Sequence, residues 1–574
     1  MALQLFPALQ RIQEPSISGF LSKVPSSFMK AYDKLIVEEN VKNGNEEEEN
    51  FLNRLHINRQ MMLEPIMKFH RRAGTFTSGV EDATKLLKDP STKVLVSTHQ
   101  PNLFAYGGIF KKIVLLQTLK DHLADSALKI VNLFVIIDHD FAGEHWIRVA
   151  QLPNIRSIDG VMQLRLPVVK SSRWQLVCNM PLPSRMVLDH WRHQLYSWIQ
   201  KSAIFQQRTV KSSDHLESAK LKLISNLDSF WNLVEQSYDN ADTYAEFNSH
   251  LMSKIVNRAW QYDTLFIKLT DLSKIFERGY GNLLRNFDNY SKNLKGMEQL
   301  FLKEGIPSGV SSSSYLYSTL WLHCNCGSKA ATKISNRTAL QDNKTSLTLA
   351  GHCMGCKKYL RSELMIDVDG AMQCSDSYTL NDFSPRSIPI VLLLSSELGI
   401  SCYASGTDGM RYILFGNTLF KEFSPKNTPV FIVWPARDSY YGFAQSEALR
   451  SIQLTNFGDL DGYVGELDQK EKRFQSAITP ILNERNQTIR QGKQTARDDI
   501  LSNLFSLKQE QRTIRSQRKL AEKVENVLTL RPSVIDYAIN FGLEQTEMHW
   551  RNGVLYNDNL NRPNNISSEN NFFI

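Results

Sequence analysis

The stretch STHQPNLFAYGGIFKK, residues 97–112, combines polar side chains and glycines of the kinds that bind phosphate groups. A histidine ring can donate a hydrogen bond to a phosphate oxygen, and an asparagine amide can do so without a charge. Two glycines allow close backbone approach, and a helix that follows would add its N-terminal N–H groups. An ordinary capped turn explains the same residues. The candidates for phosphate contact or catalysis in this loop are His99, Gln100, Asn102, Gly107, Gly108 and Lys112, and Lys111 could supply the positive charge in place of Lys112.

A second polar cluster, Asp138-His139-Asp140, follows the apolar run KIVNLFVII. Two carboxylates that flank a histidine can orient an amine, act as a general base or hold Mg²⁺. The alternative is a polar loop in which an aspartate caps the next helix. We predict that these three residues take part in catalysis.

A third candidate turn, SGTDG, follows the run ISCYA near residue 405. Its Gly406 and Asp408 could line a nucleotide, although a Gly-x-x-Gly pattern is also common in ordinary turns. Tyr403, just before the turn, is a further candidate for substrate contact. Arg437 follows the next apolar run and could pair with an anion, whereas a surface arginine is the plainer explanation.

Four of the seven cysteines form two closely spaced pairs, Cys324-x-Cys326 and Cys353-x2-Cys356. Four thiolates at two such turns suit a tetrahedral zinc ion, and closed four-cysteine zinc sites are structural. His323 stands at x2 spacing from Cys326 and could replace Cys324 as a ligand. Unrelated free thiols are the alternative. A catalytic zinc is not expected, because four protein ligands leave no open position.

Hydrophobic patterning around these motifs predicts an open, Rossmann-like α/β core. Residues 93–138 indicate a strand, a helix and a second strand of a parallel sheet, and residues 400–434 indicate another such unit. The motif-bearing loops would then meet at the carboxyl edge of one sheet, where ligands bind. The predicted organisation is an N-terminal helical region (1–90), the first half of the core (91–213), a helical region (214–307), a zinc-ribbon insertion (308–382), the second half of the core (383–460), a coiled-coil or helical domain (461–555) and a disordered tail (556–574).

Composition narrows the class of protein. The 574 residues are 42% hydrophobic and 22% charged, as expected for globular domains with several cores. The longest apolar run, IPIVLLL, is far shorter than the ~20 residues of a membrane span. The first residues lack a basic segment followed by a long apolar one, so we expect no signal peptide and a cytoplasmic protein.

Residues 466–527 carry apolar positions near heptad spacing, which predicts a coiled-coil arm and, through it, a homodimer. A basic face on this arm could follow RNA, and the net charge of +8 permits nucleic acid without requiring it. We favour the ordinary exterior of a coiled coil and small-molecule substrates.

The motifs together resemble the BshC family, the proposed cysteine-adding enzymes of bacillithiol biosynthesis. LLKDPSTKVLVSTHQPNLF and LFVIIDHDF resemble that family's first two blocks, and FSPRSI, CYASGTDGMRY and VFIVWPAR resemble its later blocks in the same order. A basic coiled coil follows in both. The resemblance is colinear over roughly residues 85–545.

The first loop departs from that family. His99 and Asn102 stand where the family tends to have glutamine and glycine, Gly409 replaces a glutamate, and the cysteine pairs look like an insertion. HQPN is closer to the WbqC-like proteins of surface-sugar biosynthesis. Both families resemble nucleotidyltransferases and class I synthetases, whose HUP-type sheet carries a His-x-Gly-His motif in this loop. His99 and Asn102 match its two ends.

The resemblance implies a ligase-type enzyme that uses ATP and Mg²⁺. Cysteine or another amino acid would be activated through its carboxylate, and its acyl group would pass to an amine of a sugar-like acceptor. His99 and Asn102 would contact phosphate, Asp138, His139 and Asp140 would serve the amine or Mg²⁺, and Gly406 and Asp408 would border the nucleotide or acceptor. One alternative is a nucleotidyltransferase of the same superfamily. Another is a non-catalytic RNA-binding protein that uses the zinc ribbon and the basic helices.

Overall fold

The computed structural model describes most of the chain. The described residues are 46–202, 213–303, 314–340, 343–374, 378–406, 419–420, 423–424, 428–433, 442–454, 457–490 and 494–557. Asp408, Arg437, most of the predicted helix at 410–420 and the predicted tail after residue 557 lie outside them.

Fifteen α-helices lie in the described part of the chain. They are α1 (Glu46–Ala73), α2 (Ser78–Leu87), α3 (Gly107–His122), α4 (His145–Arg148), α5 (Arg185–Gln200), α6 (Ser213–Asp239), α7 (Tyr244–Lys254), α8 (Glu277–Arg285), α9 (Phe287–Lys303), α10 (Ser387–Leu398), α11 (Phe443–Ser451), α12 (Leu460–Arg490), α13 (Gln494–Thr529), α14 (Val534–Phe541) and α15 (Leu543–Asn557). None of these described helices has both the length and the apolar character needed to cross a bilayer.

Fourteen strands are described, and they fall into four sheets. They are β1 (Lys93–His99), β2 (Ile130–Ile136), β3 (Val149–Pro153), β4 (Val161–Arg165), β5 (Leu265–Lys268), β6 (Leu320–His323), β7 (Lys329–Ala331), β8 (Lys333–Ala339), β9 (Thr345–His352), β10 (Tyr359–Ile366), β11 (Met372–Cys374), β12 (Phe383–Pro385), β13 (Ile400–Ser405) and β14 (Val430–Val433).

The central sheet has five parallel strands in the order β14-β13-β1-β2-β5. The mixed α/β class and the parallel sheet are therefore confirmed. β1 is the middle strand, so the loop that follows it lies between the loops that follow β2 and β13. β5 belongs to this sheet and lies in the region 214–307, which we predicted as mainly helical with DTLFIKL, residues 263–269, as a possible strand. Its apolar run LFIK is short, yet three of its four residues are buried.

Both faces of the central sheet are buried, as is usual for parallel strands. Along β1, Leu95 belongs to one apolar core, whereas Val94 and Val96 belong to the other. Helices α3, α6 and α14 contribute to the first core, and α1, α2 and α10 contribute to the second. Gly399 ends α10 in the left-handed region at φ +59°, and a Cβ there would lie 2.7 Å from Leu55.

The insertion after α9 forms two antiparallel sheets, β11-β10-β9-β8 and β12-β6-β7. The hairpin between β6 and β7 carries the first cysteine pair, and the turn between β9 and β10 carries the second. Alternate residues of β10, including Leu360, Leu364 and Ile366, are buried in the core that also holds α10. The insertion is thus packed on the same side of the central sheet as α10.

Helices α12 and α13 pack along each other and form the predicted helical arm. Leu467, Ile514 and Ala521 are buried between them, so this part of the apolar seam is used within one chain. The homodimer that we predicted through the arm stays a prediction. Helices α14 and α15 leave the arm and pack against α3, which buries Trp550 in the central core.

A buried arginine fixes the amino ends of two central strands. Arg59 of α1 is 1% exposed, and its guanidinium donates hydrogen bonds to four backbone carbonyls. Two of these carbonyls precede β1, and the other two, Leu398 and Gly399, precede β13. One side chain therefore joins segments that are about 300 residues apart in the sequence.

We expect Arg59→Met to lower the free energy of unfolding by about 3 kcal/mol, because buried carbonyls lose their donors. Urea denaturation followed by circular dichroism measures the change. Arg71→Met, on the exposed side of the same helix, is the matched control and should cost about 1 kcal/mol or less. Equal losses in the two variants would contradict the role of Arg59.

Candidate functional site

The first loop leaves the middle of the central sheet at its carboxyl edge. His99 is the last residue of β1, and α3 begins at Gly107. The partly exposed His99 ring is hydrogen-bonded through Nε2 with the Tyr106 hydroxyl at 3.1 Å. Burial and the nearby Lys112 ammonium lower the His99 pKa well below its ordinary value. The imidazole is therefore neutral near pH 7.

Side-chain hydrogen bonds join the carboxyl end of β1 and its loop to both neighbouring strand ends. Gln100 Nε2 donates to Asp140 Oδ2 at 2.6 Å, which connects the loop after β1 to the Asp-His-Asp loop after β2. On the other side, the Thr98 and Tyr403 hydroxyls are hydrogen-bonded at 2.7 Å. The structure thus brings together three of the sequence motifs at one edge.

Two buried polar side chains at this edge have side-chain atoms without a hydrogen-bond partner among the described residues. Asn102 is 2% exposed, and neither its amide nitrogen nor its oxygen has a hydrogen-bond partner among the described residues. His139 is 3% exposed, and its Nδ1 is likewise without a partner among them. Buried polar atoms are nearly always hydrogen-bonded, so such atoms indicate a place for a ligand or an ordered water.

The three residues of the Asp-His-Asp motif face different surroundings. Asp138 is buried and accepts hydrogen bonds from Thr270 N at 3.2 Å and from Thr270 Oγ1 at 2.7 Å. Burial raises the pKa of this carboxyl. The His139 ring packs edge-on against His323 of the insertion, and burial lowers its pKa to about 3. Only the partly exposed Asp140 is linked to the first loop.

Lys112 points back towards the strand end. Its Nζ donates to the Thr98 carbonyl at 2.8 Å, and burial lowers its pKa to about 7. The neighbouring Lys111 turns to the other side, where its Nζ lies 5.2 Å from the ring centroids of both Tyr537 and Trp550. Of these two lysines, Lys112 is the one placed beside the first loop.

The two glycines of the first loop serve the packing of protein groups. The Gly107 amide donates to the Pro532 carbonyl, and a Cβ on Gly107 would lie 2.7 Å from the Tyr537 ring. A Cβ on Gly108 would lie 2.7 Å from the Tyr106 ring. Their predicted role in nucleotide binding stays a prediction. Gly406, by contrast, is partly exposed, and no atom of the described residues lies within 4 Å of a Cβ built on it.

The four clustered cysteines form a compact sulfur cage. Their sulfur atoms all lie within 4.8 Å of one another, with 3.6 Å between Cys324 and Cys356 and 3.4 Å between Cys326 and Cys353. A tetrahedral zinc site with Zn–S bonds of about 2.3 Å needs sulfurs about 3.8 Å apart. The cluster could therefore hold a metal ion such as zinc.

The alternative ligand His323 lies outside this cage. Its Nε2 is hydrogen-bonded with Ser384 Oγ at 2.9 Å, and its ring contacts His139. Each cysteine pair is instead closed by a tight turn. The Gly327 amide donates to the Cys324 carbonyl with φ +83° at Gly327, and the Lys357 amide donates to the Cys353 carbonyl. The structure thus favours Cys324 over His323.

Sequence reasoning missed three residues of this region. Tyr106 contacts His99, Thr270 holds Asp138, and Lys329 of the insertion donates to the His139 carbonyl. Tyr106 directly precedes Gly107 and Gly108 in the first loop, and this position could have marked it as a candidate in the sequence. Thr270 and Lys329 come from distant segments and carry no motif, so only the fold reveals them.

Comparisons with known proteins add no name to this site. No family model matches the chain, and no curated protein matches it significantly.

We expect the purified chain to carry about one zinc ion, and Cys353→Ser to lose most of it because one thiolate of the cage is gone. Metal analysis by inductively coupled plasma mass spectrometry measures both. Cys374→Ser, in the same insertion but outside the cage, should keep its zinc. A wild-type chain that takes up no zinc would contradict the site.

Lys112 should make stability depend on pH. Its folded pKa is about 7, whereas an unfolded lysine titrates near about 10.4. Between these values the unfolded chain binds more protons, so the free energy of unfolding rises with pH. Lys112→Met should flatten this rise by up to about 1.4 kcal/mol per pH unit. Urea denaturation at pH 7, 8 and 9 tests this, and an unchanged slope would contradict it.

Proposed function

We propose that this protein is an ATP-dependent ligase of the BshC-like type, with its site at the carboxyl edge of the central sheet. The observation that carries the proposal is the hydrogen bond between Gln100 and Asp140, which lie in the loops after the neighbouring strands β1 and β2. It joins the two motifs that the resemblance assigns to phosphate contact and to the incoming amine.

The strand order supports a Rossmann-like, nucleotide-binding arrangement. We number the five strands of this sheet in chain order, so that β1, β2, β5, β13 and β14 are its first to fifth strands. From the β5 edge the strands then lie in the order third, second, first, fourth and fifth. This is the order of doubly wound nucleotide-binding sheets, in which ligands lie where the order reverses. The reversal falls between β1 and β13, beside Thr98, Tyr403 and Gly406.

The side chains there suit a nucleotide phosphate. Lys112 would donate hydrogen bonds to phosphate oxygens, and the neutral His99 ring would donate its single N–H to phosphate in exchange for its present partner, Gln100 or Tyr106. The Asn102 amide, which has no partner among the described residues, would add an uncharged donor. Donors fixed at a dry site stabilise charge that develops during the reaction. Gly406, directly after β13, would border the nucleotide or the acceptor.

The reaction has two steps. A carboxylate oxygen of the amino acid attacks the α-phosphorus of ATP, and pyrophosphate leaves. The acceptor amine then attacks the acyl carbon, AMP leaves, and the amine proton passes to a base. Asp140 is the better placed carboxylate for that proton or for Mg²⁺, since Asp138 is buried and engaged by Thr270. Asp138 would position the loop.

A nucleotidyltransferase is the second candidate, because its chemistry needs the same phosphate contacts of His99 and Asn102. In that case AMP stays on the product, which mass spectrometry detects. The arm gives no comparable support to RNA binding: Arg515 and Arg518 form ion pairs with Glu471, so part of its basic charge is used within the arm.

The full chain should catalyse amino-acid-dependent exchange of labelled pyrophosphate into ATP in the presence of Mg²⁺. His99→Ala should reduce the exchange about 100-fold, because a donor to the phosphates is lost. His193→Ala, exposed on α5, is the matched control and should keep wild-type exchange. Absence of exchange with every standard amino acid would rule out the adenylate-forming ligase.

A further inference from the structure

The cysteine-bearing insertion supplies a buried lysine to the Asp-His-Asp loop. Lys329 follows Cys326 by three residues, is 3% exposed and donates from Nζ to the His139 carbonyl at 2.5 Å. Its Nζ also lies 4.5 Å from the Trp321 ring centroid and 4.9 Å from that of Phe141. Phe141 directly follows the motif, so Lys329 contacts the loop at two points.

The backbone of Lys329 is held by both cysteine turns. Its carbonyl accepts a hydrogen bond from the Met354 amide, inside the second pair, at 3.0 Å. The next residue, Ala330, forms a β-bridge with Cys353. Lys329 itself pairs with His323, which directly precedes Cys324. Its place therefore depends on how closely the two turns approach each other.

A second set of contacts leads from the first turn to the same loop. The Gly327 carbonyl accepts a hydrogen bond from the Leu176 amide at 2.8 Å. The two following amides, of Val177 and Cys178, donate to the carbonyls of Asp140 and Asp138. The cysteine turn, the segment 176–178 and the Asp-His-Asp loop thus form one continuous hydrogen-bonded unit.

We propose that metal binding by the four cysteines positions Lys329 and thereby assembles the Asp-His-Asp loop, so that the candidate site is complete only in the metal-loaded protein. Lys329 is a positioning residue in this arrangement, and the metal is a distant part of the site. The catalytic consequence rests on the proposed function, whereas the structural coupling does not. Cys326 and Cys356 are exposed, and a metal ion would join their thiolates to those of Cys324 and Cys353 and so fix how closely the two turns approach each other.

Amine labelling tests the coupling without any assay of activity. The full chain, zinc-loaded or stripped with a chelator, is treated briefly with an N-hydroxysuccinimide ester and analysed by peptide mass spectrometry. Labelling of Lys329 should rise at least about tenfold after stripping and fall again when Zn²⁺ is restored. Lys254, a buried lysine far from the insertion in sequence, is the internal control and should stay protected.

Two outcomes would overturn the proposal. Equal protection of Lys329 in both states would show that the metal does not position it. A similar rise at Lys254 would show that the metal maintains the whole fold and has no local effect on the loop.

Variants of Lys329 separate positioning from metal binding. Lys329→Met keeps an unbranched side chain, one atom shorter, and removes the charge and the hydrogen-bond donor, so it should retain zinc but lower kcat of the exchange reaction about 10- to 100-fold. Lys329→Arg should restore part of this loss, and Lys333→Met, on the exposed neighbouring strand, should match the wild type. Wild-type kcat in Lys329→Met would overturn the positioning role. If the chain exchanges no pyrophosphate, the proposed function fails and the labelling result decides the coupling alone.

Discussion

The pairing of β1 with β13 is the contact on which the remaining structure depends. Val94 to Ser97 are in register with Ile400 to Ala404, across about 300 residues of sequence. β1 also pairs with β2 along its whole length, which places the first loop between the Asp-His-Asp loop and Gly406. Arg59 secures the opposite ends of β1 and β13 through their preceding carbonyls. The alignment of the candidate site is therefore set from the far end of the sheet.

Sequence patterns predict the parts of this fold that local chemistry determines. The apolar runs of β1 and β2, the helix between them and the two cysteine pairs all carry strong local signals. β5 carries a weaker signal, because its run LFIK has only three apolar residues and its pairing with β2 is not visible in the local sequence. The packing of Tyr537 and Trp550 on α3 could not be predicted either, because the sequence near Gly107 does not indicate which distant residues contact it.

The same limit applies to the candidate site. Residue types at strand ends were enough to select Gln100 and Asp140, which the fold joins by a hydrogen bond. They could not distinguish the two aspartates, because the difference lies in Thr270, which is distant in sequence. They also placed His139 with the first loop, whereas its ring faces the insertion. A sequence motif predicts which chemical groups are present, whereas contacts with residues from distant segments determine where those groups point.

Burial gives this edge of the sheet an unusual charge state. His99 and His139 are neutral near pH 7, and burial lowers the pKa of Lys112 to about 7 and that of Lys329 to about 8, so Lys112 is only partly charged at pH 7 whereas Lys329 is mostly charged. A phosphate beside Lys112 would favour its ammonium form and raise its pKa again. Binding of such an anion would therefore be coupled to proton uptake. A buried ammonium group without a partner is unfavourable. Because of this coupling, Lys112 would become fully charged only when the negative charge of the ligand lies beside it.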